Sequence, residues 1–251
     1  MFWAMHKFIS DGVEIAFEVA GEGEPMLLIH GFASSAGVNW RDTGWMKTLT
    51  DAGRRVITFD NRGHGESGKL YDPAAYTVPH MAGDALRLLD HLKIARADVM
   101  GYSMGARITA WLTVHHPERV RHAVFAGLAS RIITGVGGGD AIAAGLEAPS
   151  LEAVQGAVPR AFRIFAERTG SDLKALAACM RAGRIKMTAE QLAAIRLPVL
   201  VVAGAQDEVA GSVDELVNII PGAKGVILPN RNHMNAVGDS GYKHAVVEFL
   251  T

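Results

Sequence analysis

Cysteine occurs once in the 251 residues, at Cys179, so no intrachain disulfide can form and nothing points to an oxidising compartment. A cytoplasmic location is the expectation. The lone thiol sits among Ala177, Ala178 and Met180, without the flanking pattern of a thiol nucleophile, and reads as a buried small hydrophobe. Aromatic residues are scarce, 7% of the chain against a hydrophobic fraction of 49%, so aliphatic side chains must fill the core. Neither sign of charge is in excess. A net charge of −1 excludes both the basic surface that recruits nucleic acid and the acidic blocks of disordered tails, and it suits a small neutral ligand. No apolar run approaches the roughly twenty residues of a membrane span. The apolar opening Met1-Phe2-Trp3-Ala4-Met5 stops at His6-Lys7, too early for a signal sequence, and reads as an upstream start or a disordered lead. Internal repeats and low-complexity linkers are also missing.

What is present is a rhythm. Residues 7–10 and 13–20 are β-prone and flank Asp11-Gly12, the dipeptide of a tight hairpin. Short, largely apolar runs follow at 26–29, 55–59, 97–102, 122–129, 197–203 and 225–228, and several lack alternation, as strands buried on both faces do. Helices are expected between them, over 45–52, 79–92, 106–116, 213–220 and 241–250. In the second of these, Met81, Ala85, Leu88, Leu89 and Leu92 form an apolar stripe for packing. The alternation argues for an α/β fold: a mostly parallel eight-stranded sheet with helices on both faces. From 130 to 196 no strand pattern is found, only Gly135-Val136-Gly137-Gly138-Gly139 and Ala-rich helical stretches. This segment is expected to be a small helical cap inserted after the sixth strand, with 1–129 and 197–251 forming the core domain.

Ligands of such sheets gather at the carboxyl ends of the strands, where His30, Asp60, Ser103 and Leu128 fall and beyond which Asp207 and His233 lie. Gly101-Tyr102-Ser103-Met104-Gly105 stands between a strand and a helix, the context in which such a turn projects a serine hydroxyl. The amide of Met104 then opens the helix beside it. A serine hydroxyl needs a base to take its proton, an imidazole suits the task, and a carboxylate fixes the imidazole's tautomer. Of ten histidines, His233 alone follows the last expected strand, and the order Ser103, Asp207, His233 matches one hydrolase architecture. His64, between Gly63 and Gly65, is expected in a structural or surface role, with Asp60 and Arg62 bracing the same turn by charge-assisted hydrogen bonds.

With His30-Gly31-Phe32, Asp60-Asn61-Arg62-Gly63-His64-Gly65-Glu66-Ser67, the serine turn, Asp207 and Asn232-His233 in place, the chain resembles the α/β-hydrolase fold superfamily over nearly its whole length. The resemblance implies a Ser103–His233–Asp207 triad, an oxyanion hole from the amides of Phe32 and Met104, and no cofactor or metal. It is similar to small esterases, enol-lactonases and cofactor-free haloperoxidases. Serine at the nucleophile position separates it from the dehalogenases and epoxide hydrolases of the fold, which attack with a carboxylate. Hydrolysis of a small to medium acyl or aryl ester is the leading expectation. Perhydrolysis or haloperoxidation on the same triad, enol-lactone hydrolysis, and a ligand receptor retaining the triad are the alternatives. Ile132, Phe162 and Phe165 in the cap, and Met234 after the histidine, are expected to line the substrate pocket. Met234-Asn235-Ala236 departs from the bulky aromatic run of many relatives.

Overall fold

Asp11 and Gly12 both take positive φ, 49° and 76°, the conformation that a two-residue hairpin turn requires. They join β1 (His6–Ser10) to β2 (Val13–Ala20) with Ser10 opposite Val13. The computed structural model describes residues 4–183 and 185–251; the lead expected at the amino end falls largely on 1–3, outside the described residues. Six further strands follow: β3 (Glu24–Ile29), β4 (Arg54–Phe59), β5 (Ala97–Tyr102), β6 (Val120–Ala126), β7 (Val199–Gly204) and β8 (Lys224–Leu228). They form one eight-stranded sheet in the order β1-β2-β4-β3-β5-β6-β7-β8. The pairs involving β2 are antiparallel and the rest parallel.

Every residue of β5 and β7 is buried, which is why these strands do not alternate. One face of the sheet packs against α2 (Val78–His91), α3 (Met104–His115) and α9 (Val213–Ile219), through Met81, Leu88, Ile108 and Leu216 among others. Trp45 and Met46 of α1 (Trp45–Asp51) and Tyr242 and Val246 of α10 (Ser240–Phe249) cover the other. The chain leaves β3 for β4 on one side and then crosses to β5 on the other. That reversal opens a crevice at the carboxyl ends of β3 and β5.

β6 ends at Ala126 rather than at residue 129, because Gly127 turns the chain at φ 63°. After β3, residues 33–36 lead into a π-helix over Gly37–Arg41. Long-range bonds hold it: the Ala36 amide donates to Asp60 Oδ1 at 2.7 Å, and Arg41 pairs with the buried Glu18.

Between β6 and β7 lie α4 (Arg131–Thr134), α5 (Gly139–Glu147), α6 (Ala157–Arg168), α7 (Leu173–Arg181) and α8 (Ala189–Ala193), with no strand among the described residues. Arg163 of α6 is buried, and its guanidinium donates to the carbonyls of Gly145, Leu146 and Ala148 at 2.9–3.1 Å. It thereby satisfies carbonyls that the end of α5 leaves open. Arg107 of α3 donates to the carbonyls of Arg131, Ile132 and Ile185, tying the start of the helical segment and the stretch between α7 and α8 to α3. Cys179 is buried in α7. No described helix is long and apolar enough to cross a membrane.

Candidate active site

Ser103 sits between β5 and α3 at φ 55°, ψ −110°, a backbone conformation that L-residues other than glycine rarely hold. Its amide donates to Ala126 O at 2.8 Å, and the flanking glycines permit the turn. A Cβ on Gly101 would stand 2.1 Å from Gly105 O, and one on Gly105 would stand 1.9 Å from Ile29 O. Strand, turn and the end of β3 therefore touch backbone to backbone, which brings Ser103 beside the loop that follows β3.

Residues far apart in sequence converge on the hydroxyl. Ser103 Oγ lies 2.9 Å from His233 Nε2, and His233 Nδ1 lies 2.9 and 3.0 Å from the carboxylate oxygens of Asp207. A carboxylate accepts and does not donate, so Nδ1 carries the imidazole proton and Nε2 is left to accept from the serine. The Asp207 side chain is wholly buried, and Oδ1 also accepts the amides of Val209 and Ala210 at 3.0 Å. The close approach of β7 to the His233 loop depends on Gly204, where a Cβ would meet Arg231 O at 2.1 Å.

Opposite the serine, the Gly31–Phe32 peptide is fixed from behind. The Asn61 amide donates to His30 Nε2 at 2.9 Å, which leaves the proton on Nδ1, and Nδ1 donates to Gly31 O at 2.7 Å. In a trans peptide the carbonyl and the N–H point opposite ways, so anchoring Gly31 O turns the Phe32 N–H away from His30. Asn39, on the π-helix, accepts the Gly31 amide at 3.0 Å. Neither the Phe32 nor the Met104 amide meets an acceptor among the described residues.

Burial pushes the His30 imidazole below its ordinary 6.5, against an opposing pull from Asp60. An unfolded chain therefore takes up this proton first as pH drops below 6.5, and folding stability is lost in that direction. Denaturant midpoints measured at about pH 7.5 and about pH 5.5 should fall more for the native protein than for a His30→Gln variant.

His64 is fully buried, so the surface half of its expected role is corrected. Its Nδ1 lies 2.9 Å from Arg62 O and its ring packs against His30 and Phe32. Asp60 and Arg62 brace this region through separate partners. Asp60 accepts the Ala36 and Glu66 amides, while Arg62 makes a two-pronged pair with buried Asp84 at 2.7 and 2.8 Å.

The expected pocket residues divide. Phe162 and Phe165 are half-buried, and the Phe162 ring meets Phe32 edge-on at 5.7 Å. Ile132 is wholly enclosed in the core, seating the helical segment rather than offering a wall. Met234 is 59% exposed, because Asn232 Oδ1 caps the Met234 and Asn235 amides and turns the loop outward. Two residues that the sequence reading passed over belong to the site's frame: Asn39, which no local signal marks, and Tyr102, whose hydroxyl reaches His233 O. Among the described residues no group of three His, Cys, Asp or Glu could hold a metal. A cavity of about 530 Å³ lies elsewhere, beside Arg96, Pro117 and Pro198.

Residues 24–141 match the model of the α/β-hydrolase fold family. Over 224 residues the chain is 32% identical to 3-oxoadipate enol-lactonase 2 of Acinetobacter baylyi, a match that covers 80% of this chain and 79% of that protein. The chain belongs to the α/β-hydrolase fold family. A hydrolase from Pseudomonas aeruginosa superposes with TM-score 0.82 at 29% identity, covering 98% of each chain. The enol-lactonase of Burkholderia xenovorans shares the fold with TM-score 0.80 at 23% identity, over 98% of this chain and 99% of that one. Matches to several other curated relatives cover 34% to 43% of those proteins' lengths.

Proposed function

We propose that this α/β hydrolase cleaves carboxylic esters or lactones through an acyl-enzyme on Ser103. The supporting observation is the continuous relay from Ser103 Oγ to His233 Nε2 at 2.9 Å and from His233 Nδ1 to Asp207. Ser103 Oγ attacks the carbonyl carbon as its proton passes to Nε2, and Asp207 steadies the imidazolium. The amides of Phe32 and Met104 receive the negative oxygen of the tetrahedral intermediate, each worth about 3 kcal/mol of barrier in comparable sites. Collapse expels the alkoxide, which takes the proton from Nε2; in a lactone it stays tethered to the acyl group. Water then attacks the ester carbon, gives its proton to Nε2, and the acid departs as Ser103 regains its hydrogen. The helical segment 130–196 serves as a cap over the site, where Phe162 and Phe165 favour a small to medium apolar acyl or aryl group. The likeness to an enol-lactonase over 79% of its length supports ester and lactone bonds as the class.

Labelling with a fluorophosphonate, followed by peptide mapping and turnover of a panel of p-nitrophenyl esters and lactones, tests this reading. Modification of Ser103 with hydrolysis of at least one class is the expected result. An unlabelled serine and an inert panel would overturn it.

A further inference from the structure

Tyr102 immediately precedes Ser103 in the serine turn, and its side chain reaches the loop that carries the base. The phenolic hydroxyl donates to the backbone carbonyl of His233 at 2.6 Å, and the two rings lie 5.5 Å apart. Room for this ring is provided by Gly127, where a Cβ would stand 2.8 Å from Tyr102 Cζ. Burial drives the phenol's pKa upward, so the group remains a donor.

The rest of the loop is held at its ends. Arg231 O accepts from the Gln206 amide at 2.9 Å, and Val237 O accepts from Trp45 Nε1 at 2.6 Å. Between them the Asn232 side chain and the Ala236 amide bond only within the loop. Among the described residues, the Tyr102 hydroxyl is the one group of the sheet that bonds the backbone of 232–236.

We infer that Tyr102 is a positioning residue: the segment that carries the nucleophile also holds the base's main chain, and so sets the separation between Ser103 Oγ and His233 Nε2. The inference rests on the acyl-transfer reading. Adjacent residues of one buried strand end share a single rigid frame, so loop motion is not passed in full to the Oγ–Nε2 distance.

Tyr102→Phe keeps the ring and removes the tether. Its kcat for p-nitrophenyl esters should fall by about tenfold to a hundredfold, the cost of a modest misplacement of reacting groups, with KM unchanged. Fluorophosphonate labelling of Ser103 should slow by a similar factor, and the low-field proton resonance of the His233–Asp207 bond should broaden. Trp45→Phe is the control, releasing Val237 O while His233 O stays held; it should lower the melting temperature and leave that resonance sharp. Unchanged kcat and an unchanged resonance in Tyr102→Phe, with Ser103 labelled normally in the native protein, would overturn the inference alone. A native protein that is neither labelled nor active would remove the acyl-transfer reading and this inference together.

Discussion

Replacing Ser103 by Ala is expected to lower kcat for ester hydrolysis by about 10⁴-fold or more, since removing the nucleophile of a serine hydrolase leaves only binding and oxyanion stabilisation. That loss corresponds to at least about 5 kcal/mol of barrier, at 1.36 kcal/mol per tenfold. The fold should survive with a melting temperature close to that of the native protein. Ser103 makes its structural bond through its backbone amide, to Ala126 O, and Ala retains that amide. Fluorophosphonate labelling should vanish in parallel with turnover. Undiminished turnover in the variant would assign the chemistry to another group.

The largest effect on stability is expected at Gly105. A methyl there would stand 1.9 Å from Ile29 O and 2.9 Å from His30 O, both main-chain atoms of a packed strand and its exit, which cannot rotate aside as a flexible side chain can. Gly105→Ala must push β3 and α3 apart, and a loss of about 3–5 kcal/mol is expected, a large share of the roughly 5–15 kcal/mol that holds a typical domain folded. Ester turnover should fall as well, because the displaced chain leads directly into His30, Gly31 and Phe32. Gly137→Ala is the companion measurement: nothing lies within 4 Å of its Cβ position, and its denaturation curve should overlay that of the native protein. Equal midpoints for the two variants would contradict the packing described for the serine turn.

The parts of the fold that could be read in advance are those whose cause is local. Asp11-Gly12 specifies a hairpin because both residues accept positive φ, and the unbroken apolar runs of β5 and β7 follow from burial on both faces. Ser103, Asp207 and His233 stand out in the sequence because each lies at or a few residues beyond the end of a recognisable strand. Legibility fails where distant partners decide. The π-helix over Gly37–Arg41 is held by Asp60, Glu18 and the Asn39–Gly31 bond, none of which leaves a periodic signature. His64 sits in a glycine-rich turn that looks exposed, yet the neighbouring rings enclose it. Ile132 and Met234 show the same difficulty for the pocket. Apolar character alone does not say whether a side chain is sealed into a seam or swung outward by an Asx-capped loop.

The helices between β6 and β7 contribute none of the three side chains in the Ser103 relay, and Arg107 of α3 holds the segment at Arg131, Ile132 and Ile185. Under the proposed function, the proton relay and the aromatic rings Phe162 and Phe165 thus occupy separable stretches of one gene product. Sequence drift or deliberate grafting within that excursion could retune which molecule is accepted while the proton relay stays intact, giving the scaffold room to diversify.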